Sequence, residues 1–378
     1  MPLNDVKFTT LAGGLGRTTA GEDHVSAFRF TEAAPSSYDG AKCKSFGDLA
    51  SIESAGVTEG HATYGEAWYQ CREFFRIAPG STLWLCFGAA TYLEINTAAA
   101  GKIRQLGTYF TTFADLTAVH QAGATALAAL HAPIQILAAY RGPTLAVSGL
   151  ADQAINTAPN VSVLVAGDGD GDGAALATTL TLPYVPALGA VLGAMAKARV
   201  SESIAWVEPF NLSDGLELEV IALPDGTKNP SESILSGLND KRYLVLRKHV
   251  GISGTYLNDS HTAVIGTSDF AYIESNRTIQ KAKRLIRSFL LPQLNAPLTV
   301  DADTGKLAAG SVKFFEQLAG RGIDQMQNEG EVSGYAVFIN PDQNVLSTSK
   351  LQIQVKIVPR GVARNIEVLI GFAVNTSF

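Results

Sequence analysis

Continuous apolar runs separated by helix-forming segments limit the possible folds of this chain more than any other feature. The runs "STLWLCFG" (81–88), "IQILAAY" (134–140) and "VSVLVAG" (161–167) lack the alternation of strands that have one solvated face. Helix-forming segments lie between them, including the Ala- and Leu-rich stretch from Phe113 to His131. Strands covered on both faces and alternating with helices predict an α/β domain over residues 21–250, with a mostly parallel, mixed sheet flanked by helices.

The remaining segments of this region follow the same alternation. A strand is predicted at 216–223 and at 242–250, and helices are predicted at 150–157, 173–204 and 231–238. The stretch from Gly173 to Ala196 has no charge, but Pro183 and Pro186 interrupt it. A membrane-spanning helix needs about 20 strongly apolar residues, so this stretch predicts a helix, a turn and a buried helix instead.

The order of elements changes after residue 250. A helix is predicted at 276–294, with Asn276 as its N-cap, and a second helix at 311–328. Strands follow at 332–339, 351–358 and 366–374. Helices followed by strands predict a separate α+β domain over residues 251–378. Residues 1–20 form a third part, an arm with a short strand at Val6–Thr10 and the Gly-rich run "AGGLGR".

Composition and charge exclude several classes of protein. The 378 residues carry a net charge of −6, which argues against a general nucleic-acid binder. Three cysteines without a ligand spacing predict buried thiols in a reducing compartment. The first ten residues contain no apolar stretch, so no secretory signal is predicted.

The acidic run "GDGDGDG" (167–173) is the most conspicuous local motif. Asp168, Asp170 and Asp172 imitate the first half of a calcium-binding loop, but the twelfth position is Thr179 instead of glutamate. We therefore predict an acidic turn beside a helix N-terminus, and no metal site. The alternative is an α/β enzyme with a ligand near this turn, at the carboxyl ends of the strands.

No other motif predicts catalysis. The chain has no P-loop, no dinucleotide-binding fingerprint and no GxSxG nucleophile elbow. The run "NDSHT" (258–262) places Asp, Ser and His side by side, whereas catalytic triads are assembled from residues distant in sequence. No catalytic residue, cofactor site or metal ligand is therefore assigned.

The predicted helix "NRTIQKAKRLIRSFLLPQL" carries five cations and no acidic residue. Arg277, Lys281 and Arg284 follow at i, i+4 and i+7, so they share one face, which we take to be exposed. An acidic partner surface would explain this charge on an acidic protein. Neutralisation within the same fold would explain it equally well, by residues such as Asp301, Asp303 and Glu316.

The last segment, "LQIQVKIVPRGVARNIEVLIGFAVNTSF", raises the question of what it pairs with. Its first half alternates strictly between apolar and polar residues, and Ile366–Val374 also has the pattern of a strand. An unpaired apolar edge strand promotes aggregation unless another chain covers it.

These features together resemble the contractile tail sheath proteins of contractile-tailed bacteriophages and contractile injection systems. The resemblance is carried by "YIESNRTIQKAKRLIR", "TGKL" and "KIVPRGVARNIEVLIGF", and also by "GGLGR", "GEDHVSA" and "VSVLVAGDGDGDGAAL". It implies a structural subunit, not an enzyme, that polymerises around an inner tube and contracts to drive that tube through a target envelope. A non-contractile shell or tube protein is a weaker alternative.

The resemblance also implies partners and sites. Strands at both chain ends would pair with neighbouring subunits, through Val6, Phe8, Ile366, Val368, Ile370 and Phe372. The flanking segments 11–17 and 358–364 would be flexible linkers. Arg277, Lys281 and Arg284 would face the tube. Expected partners are copies of the chain itself, an inner tube protein, and baseplate and terminator proteins, with no nucleic acid and no membrane insertion. Assembly is expected in the bacterial cytoplasm, and the assembled protein is expected in a virion tail or a contractile injection particle.

Overall fold

The computed structural model describes residues 23–213, 215–370 and 372. A six-stranded sheet organises its larger part, in the spatial order β2-β3-β1-β4-β5-β6. Its strands are β1 (Ser26–Arg29), β2 (Cys43–Phe46), β3 (Leu83–Cys86), β4 (Gln105–Phe110), β5 (Gln135–Tyr140) and β6 (Val161–Leu164). All neighbouring pairs are parallel except β2 with β3. The predicted α/β architecture with a mixed, mostly parallel sheet is confirmed.

Among the described residues, seven α-helices accompany this sheet. They are α1 (Leu49–Ser54), α2 (Gly65–Ile77), α3 (Tyr92–Ala98), α4 (Ala122–Ala129), α5 (Gly171–Leu180), α6 (Leu188–Lys197) and α7 (Glu232–Asp240). A π-helical turn at Leu116–Gln121 precedes α4. The uncharged stretch 173–196 forms most of α5, a turn and then α6, which is buried from Leu188 to Ala196 as predicted.

Two glycines allow α6 to pack directly on the backbone of α2. A Cβ added at Gly189 would lie 2.1 Å from the carbonyl oxygen of Gln70, and one at Gly193 would lie 2.9 Å from that of Phe74. The GxxxG spacing therefore serves helix packing inside this domain. Within the described residues, no helix is both long and apolar enough to cross a bilayer.

Several short strands complete the domain. β7 (Gly167–Asp168), β8 (Val185–Pro186) and β9 (Ile221–Ala222) form a small antiparallel sheet, and β10 (Leu246–His249) pairs with β11 (Ile252–Leu257). The predicted strands at 216–223 and 242–250 are thus much shorter than expected. Residues 215–220 bend instead, because Glu217 turns toward the N-terminus of α5 and Leu218 adopts a left-handed φ of 60°.

The C-terminal unit contains α8 (Ile273–Leu290), α9 (Ala309–Asn328), β12 (Val332–Phe338), α10 (Val345–Thr348) and β13 (Gln354–Pro359). α8 packs on α9, and β12 pairs with β13 antiparallel. A small core of Ala282, Ile323, Met326 and Val332 lies between the helices and the sheet. The helices-then-strands order therefore agrees with the prediction.

The predicted N-cap of α8 is wrong. The helix begins at Ile273, and Asn276 lies inside its first turn, where its side-chain amide donates to the carbonyl oxygens of Phe270 and Tyr272. Asn276 therefore ties the helix start to the preceding loop instead of capping it.

The predicted strand at 366–374 does not form within this chain over the described residues 366–370, which have neither helix nor strand. The other predicted terminal strand, Val6–Thr10 with Val6 and Phe8, lies outside the described residues.

Candidate assembly surface and the ion networks behind it

The basic face of α8 is not exposed. Arg277 and Lys281 retain only 4% and 5% of their accessible surface. The Nζ atom of Lys281 lies 2.9 Å from Asp23 Oδ2, 3.0 Å from Glu329 Oε2 and 2.8 Å from Glu331 Oε1. The expectation that Arg277, Lys281 and Arg284 form an exposed face is therefore wrong. The helical spacing places them on one stripe, but that stripe faces the interior.

Arg277 and Arg284, the other two cations of this stripe, also bind groups of the same chain. Arg284 donates to the carboxylate of Asp23, and Arg277 donates to the carbonyl oxygen of Ala198 at 3.2 Å. Burial lowers the pKa of Arg277, against the opposing effect of Asp23. Neutralisation within the fold, the alternative left open by the sequence, accounts for these three residues. We call this cluster, with Glu329 and Glu331, the Asp23 network.

The neutralising acids are not those suggested by the sequence. Glu316 pairs with Lys313, and Asp301 accepts hydrogen bonds from Thr304. Asp23 comes from the other end of the described chain, and Glu331 lies at the turn from α9 to β12. Neither could be assigned from local spacing.

Lys283 and Arg287 are the exposed cations of α8. They lie four residues apart on the same face, and Leu291, which is 49% exposed, continues that spacing. Leu294, which is 70% exposed, follows shortly after. The part of α8 that a partner can reach is therefore a basic strip with an apolar end.

A second ion network holds the segment after β13 to the rest of the subunit. The Nε atom of Arg364 lies 2.9 Å from Asp259 Oδ1, and its Nη2 atom lies 2.5 Å from Glu274 Oε1. The guanidinium carbon lies 3.5 Å from the centre of the Tyr272 ring. Ser260 Oγ donates to Glu274 at 2.6 Å. We call this cluster the Arg364 network.

This network involves two residues of the "NDSHT" run. Asp259 binds Arg364, and Ser260 donates to Glu274. Within the described residues, both side chains therefore help to hold the C-terminal segment in place. The predicted linker 358–364 is thus fixed at its last residue. Sequence reasoning missed Arg364, because its partners lie about a hundred residues away.

Over its described residues, the C-terminal segment is exposed from Ala363 onward, and a run of exposed apolar side chains follows the anchor. The exposed fractions are 82% at Ile366, 76% at Val368, 100% at Leu369, 93% at Ile370 and 111% at Phe372. Soluble monomers rarely present so many apolar side chains together.

The two-stranded sheet of β12 and β13 has open edges. Among the described residues, no further strand pairs with the outer edge of either strand. Val358 and Phe338, at the two ends of this sheet, are 58% and 53% exposed. A row of free backbone N–H and C=O groups can accept a strand from another chain.

An open groove of about 1250 Å³ lies beside the Arg364 network. Its walls are the loop 201–208, α7, the β10–β11 hairpin and residues 360–366. The groove separates the first residues of the C-terminal segment from the larger domain.

Hydrogen bonds to other parts of the fold hold the "GDGDGDG" turn in place. Asp168 Oδ2 accepts from the hydroxyl of Tyr69 at 2.6 Å, and Oδ1 accepts from the backbone N–H of Leu218 at 3.1 Å. Burial raises the pKa of Asp168 to about 9. Glu217, rather than Asp170, accepts from the N–H groups of Asp172 and Gly173 at the start of α5. Over the part of the chain that the structure describes, no three His, Cys, Asp or Glu side chains are grouped to hold a metal ion.

Solved structures of contractile injection systems share this fold. One chain of the anti-feeding prophage (AFP) baseplate is 17% identical, with a TM-score of 0.66, over 99% of this chain and 100% of that chain. One chain of the contracted sheath complex of PVC, an extracellular contractile injection system, is 12% identical, with a TM-score of 0.67, over 99% of this chain and 98% of that chain. These likenesses support the predicted fold class.

Comparison with curated proteins finds no match. Family comparison does find matches in both parts of the chain. "DUF2586, N-terminal domain" matches residues 106–261, and "DUF2586, C-terminal domain" matches residues 269–377. The two domains occur in their expected order and together cover well over half of the sequence. The chain therefore belongs to the DUF2586 family.

Proposed function

We propose that this protein is the sheath subunit of a contractile tail or contractile injection system. Copies of it would polymerise around an inner tube, and contraction of the lattice would drive that tube through a target envelope. The full-length likeness to a chain of a sheath complex supports this proposal. The observation that carries it is the set of exposed apolar side chains at 366, 368–370 and 372, which lies in the same unit as a sheet with two open edges.

The apolar segment needs a cover that its own chain does not supply in the described residues. Burying a side chain such as Ile or Phe stabilises an assembly by roughly 1.5–3 kcal/mol. Ile366, Val368 and Ile370 share one face of an extended segment, since side chains alternate along a strand. Addition of this segment to the edge of a neighbour's β12–β13 sheet would bury them and satisfy the free backbone groups of that edge.

Contraction would draw its free energy from the difference between two packings of the subunits. Such differences are typically about 1–3 kcal/mol per coupled unit, and repetition over many subunits makes the sum large. Nucleotide hydrolysis by this chain is not required.

The surface proposed to face the tube is the basic strip of Lys283 and Arg287. The sequence predicted this role for Arg277, Lys281 and Arg284. These three residues would instead hold α8 in place. Each exposed ion pair is worth only about 0–1 kcal/mol, so single contacts would break readily during contraction while many together hold the tube.

A baseplate subunit is the second candidate, because a chain of the AFP baseplate shares the fold over the full length. Negative-stain microscopy of the purified full chain separates the candidates. Long tubes are expected for a sheath subunit, single rings for a baseplate subunit, and discrete particles for the α/β enzyme.

A triple variant tests the apolar segment itself. Changing Ile366, Val368 and Ile370 to Asn should leave the subunit folded, because these side chains are exposed, but should abolish tubes. Glu367→Gln in the same segment is the matched control and should leave tube formation unchanged. Tubes of normal length from the triple variant would refute strand exchange by this segment.

A further inference from the structure

Helix α8 binds residues near both ends of the described chain. Glu274, in its first turn, belongs to the Arg364 network. Lys281 and Arg284, about two turns later, belong to the Asp23 network. With a rise of 1.5 Å per residue, Glu274 and Lys281 are separated by roughly 10 Å along the helix axis. One rigid element therefore holds the points from which both terminal segments continue.

The contact at Asp23 is strong and specific. Its side chain is 16% exposed, and its two carboxylate oxygens bind different cations, Lys281 and Arg284. Arg277 Nη2 also lies 3.5 Å from the Asp23 carbonyl oxygen. Hydrogen bonds between charged groups are about twice as strong as neutral ones. The backbone at Asp23 is therefore fixed against α8.

The contact at Arg364 has the same character. Its guanidinium binds two carboxylates, on Asp259 and Glu274, and stacks on Tyr272. Asp259 and Glu274 are 12% and 7% exposed at their side chains, so the charges are shielded from solvent. Arg360, four residues earlier, is exposed and has no ion pair among the described residues.

We propose that Asp23 and Arg364 are positioning residues that fix, through α8, where the two terminal segments leave the subunit. Hinge motion during contraction then begins outside Arg364, at Asn365, while Asp23 keeps the start of the described chain fixed to α8. This inference rests on the proposed sheath function, since it assigns the contraction hinge to particular residues. It moves the hinge to the C-terminal side of the linker predicted at 358–364, because the side chain of Arg364 is anchored to Asp259 and Glu274.

Spin-label distances in the unassembled subunit test the anchor independently of any assembly. Cys43, the half-buried cysteine, is replaced by Ser, and a reference label is placed at Arg321→Cys on α9. A second label is placed at Ala363→Cys or at Val368→Cys. The proposal predicts a narrow distance distribution at 363 and one at least about twice as broad at 368.

Variants of the anchor complete this test. Arg364→Ala should broaden the distribution at 363 about two-fold, Arg364→Lys should broaden it less, and Arg360→Ala should leave it unchanged. Far-ultraviolet circular dichroism confirms that each variant is folded. Equal widths in all variants, or a distribution at 368 as narrow as that at 363, would overturn the proposal. For the other anchor, a label at His24→Cys should broaden likewise on Asp23→Ala.

Assembled tubes test the position of the hinge. Labelled subunits with His24→Cys and Ala363→Cys are diluted with unlabelled subunits before assembly. The distance between the two labels should then agree within about 3 Å between extended and contracted tubes. A change of more than about 5 Å would place the hinge inside the subunit and overturn the inference. If the protein forms no tubes while the subunit measurements behave as expected, the proposed function fails and the anchoring role of the two residues stands.

Discussion

The ammonium group of Lys281 lies 2.9 Å from the carboxylate of Asp23, which joins the C-terminal unit to the start of the described chain. Glu329 and Glu331 surround the same nitrogen. Burial opposes the charged form of Lys281, but Asp23 and Glu331 outweigh it, so its pKa lies above the ordinary value. This ion network, and not an exposed patch, is what the basic stripe of α8 forms.

Lys281→Met should destabilise the subunit strongly. Removal of one partner from a buried ionic network leaves the other charges uncompensated and typically costs about 3–5 kcal/mol. Urea unfolding followed by circular dichroism measures the change in the free energy of unfolding. Lys283→Met on the exposed face of the same helix is the control, with an expected change within about 0.5 kcal/mol. Similar losses in both variants would contradict the network's role.

Gly189→Ala should destabilise the packing of α6 on α2. The new Cβ would lie 2.1 Å from the carbonyl oxygen of Gln70, so the helices would have to separate. Overpacking of this kind costs about 1–3 kcal/mol or more. Gly237→Ala in α7 is the matched control, since its Cβ would meet nothing within 4 Å. There the substitution should stabilise the protein by about 0.5–1 kcal/mol. Thermal unfolding of both variants measures the two changes in stability.

Asp168→Asn should change how stability depends on pH. Burial raises the pKa of Asp168 to about 9 from its ordinary value of 3.8. Between these values the folded protein holds a proton that the unfolded chain has lost, so stability decreases as pH rises through this window. The asparagine amide can keep the hydrogen bonds with Tyr69 and Leu218 without this dependence.

The advantage of Asp168→Asn over the wild type should therefore grow from pH 5 to pH 9 in thermal unfolding. Asp39→Asn, at a side chain that is 91% exposed, should follow the wild-type curve. Parallel curves for Asp168→Asn and the wild type would show that the carboxyl group is ionised in the folded protein.

The double variant Lys283→Glu, Arg287→Glu should assemble into sheaths without an inner tube. Both side chains are exposed, so the fold should persist while attraction to an acidic tube surface becomes repulsion. Electron microscopy of assembled particles gives the fraction that contains a tube. Lys313→Glu, at a cation on α9 that is 76% exposed, is the control.

Salt provides a second measure of the same contact. Attachment of the tube to the wild-type sheath should weaken as ionic strength rises, because exposed charges are screened beyond about 10 Å at 0.1 M salt. Tube-filled particles from the double variant would show that this strip points away from the tube.

The sequence by itself determined the architecture. Continuous apolar runs predicted the parallel strands β3, β5 and β6, because a strand covered on both faces needs apolar residues at every position. Helical periodicity predicted both ends of α9 and the start of α8 to within three residues. The end of α8 was predicted at residue 294, whereas the helix ends at Leu290. The uncharged GxxxG stretch predicted the buried helix α6. These signals are local, since each reports the surroundings of a few consecutive residues.

Tertiary structure alone decided which surfaces remain free. The spacing of Arg277, Lys281 and Arg284 defined a common face, but only the fold brings Asp23 and Glu331 against it. The same holds for Arg364, whose partners Asp259 and Glu274 come from distant parts of the chain. Periodicity shows which residues point the same way. Whether that direction meets solvent or an opposite charge depends on contacts between segments far apart in sequence, which no local pattern contains.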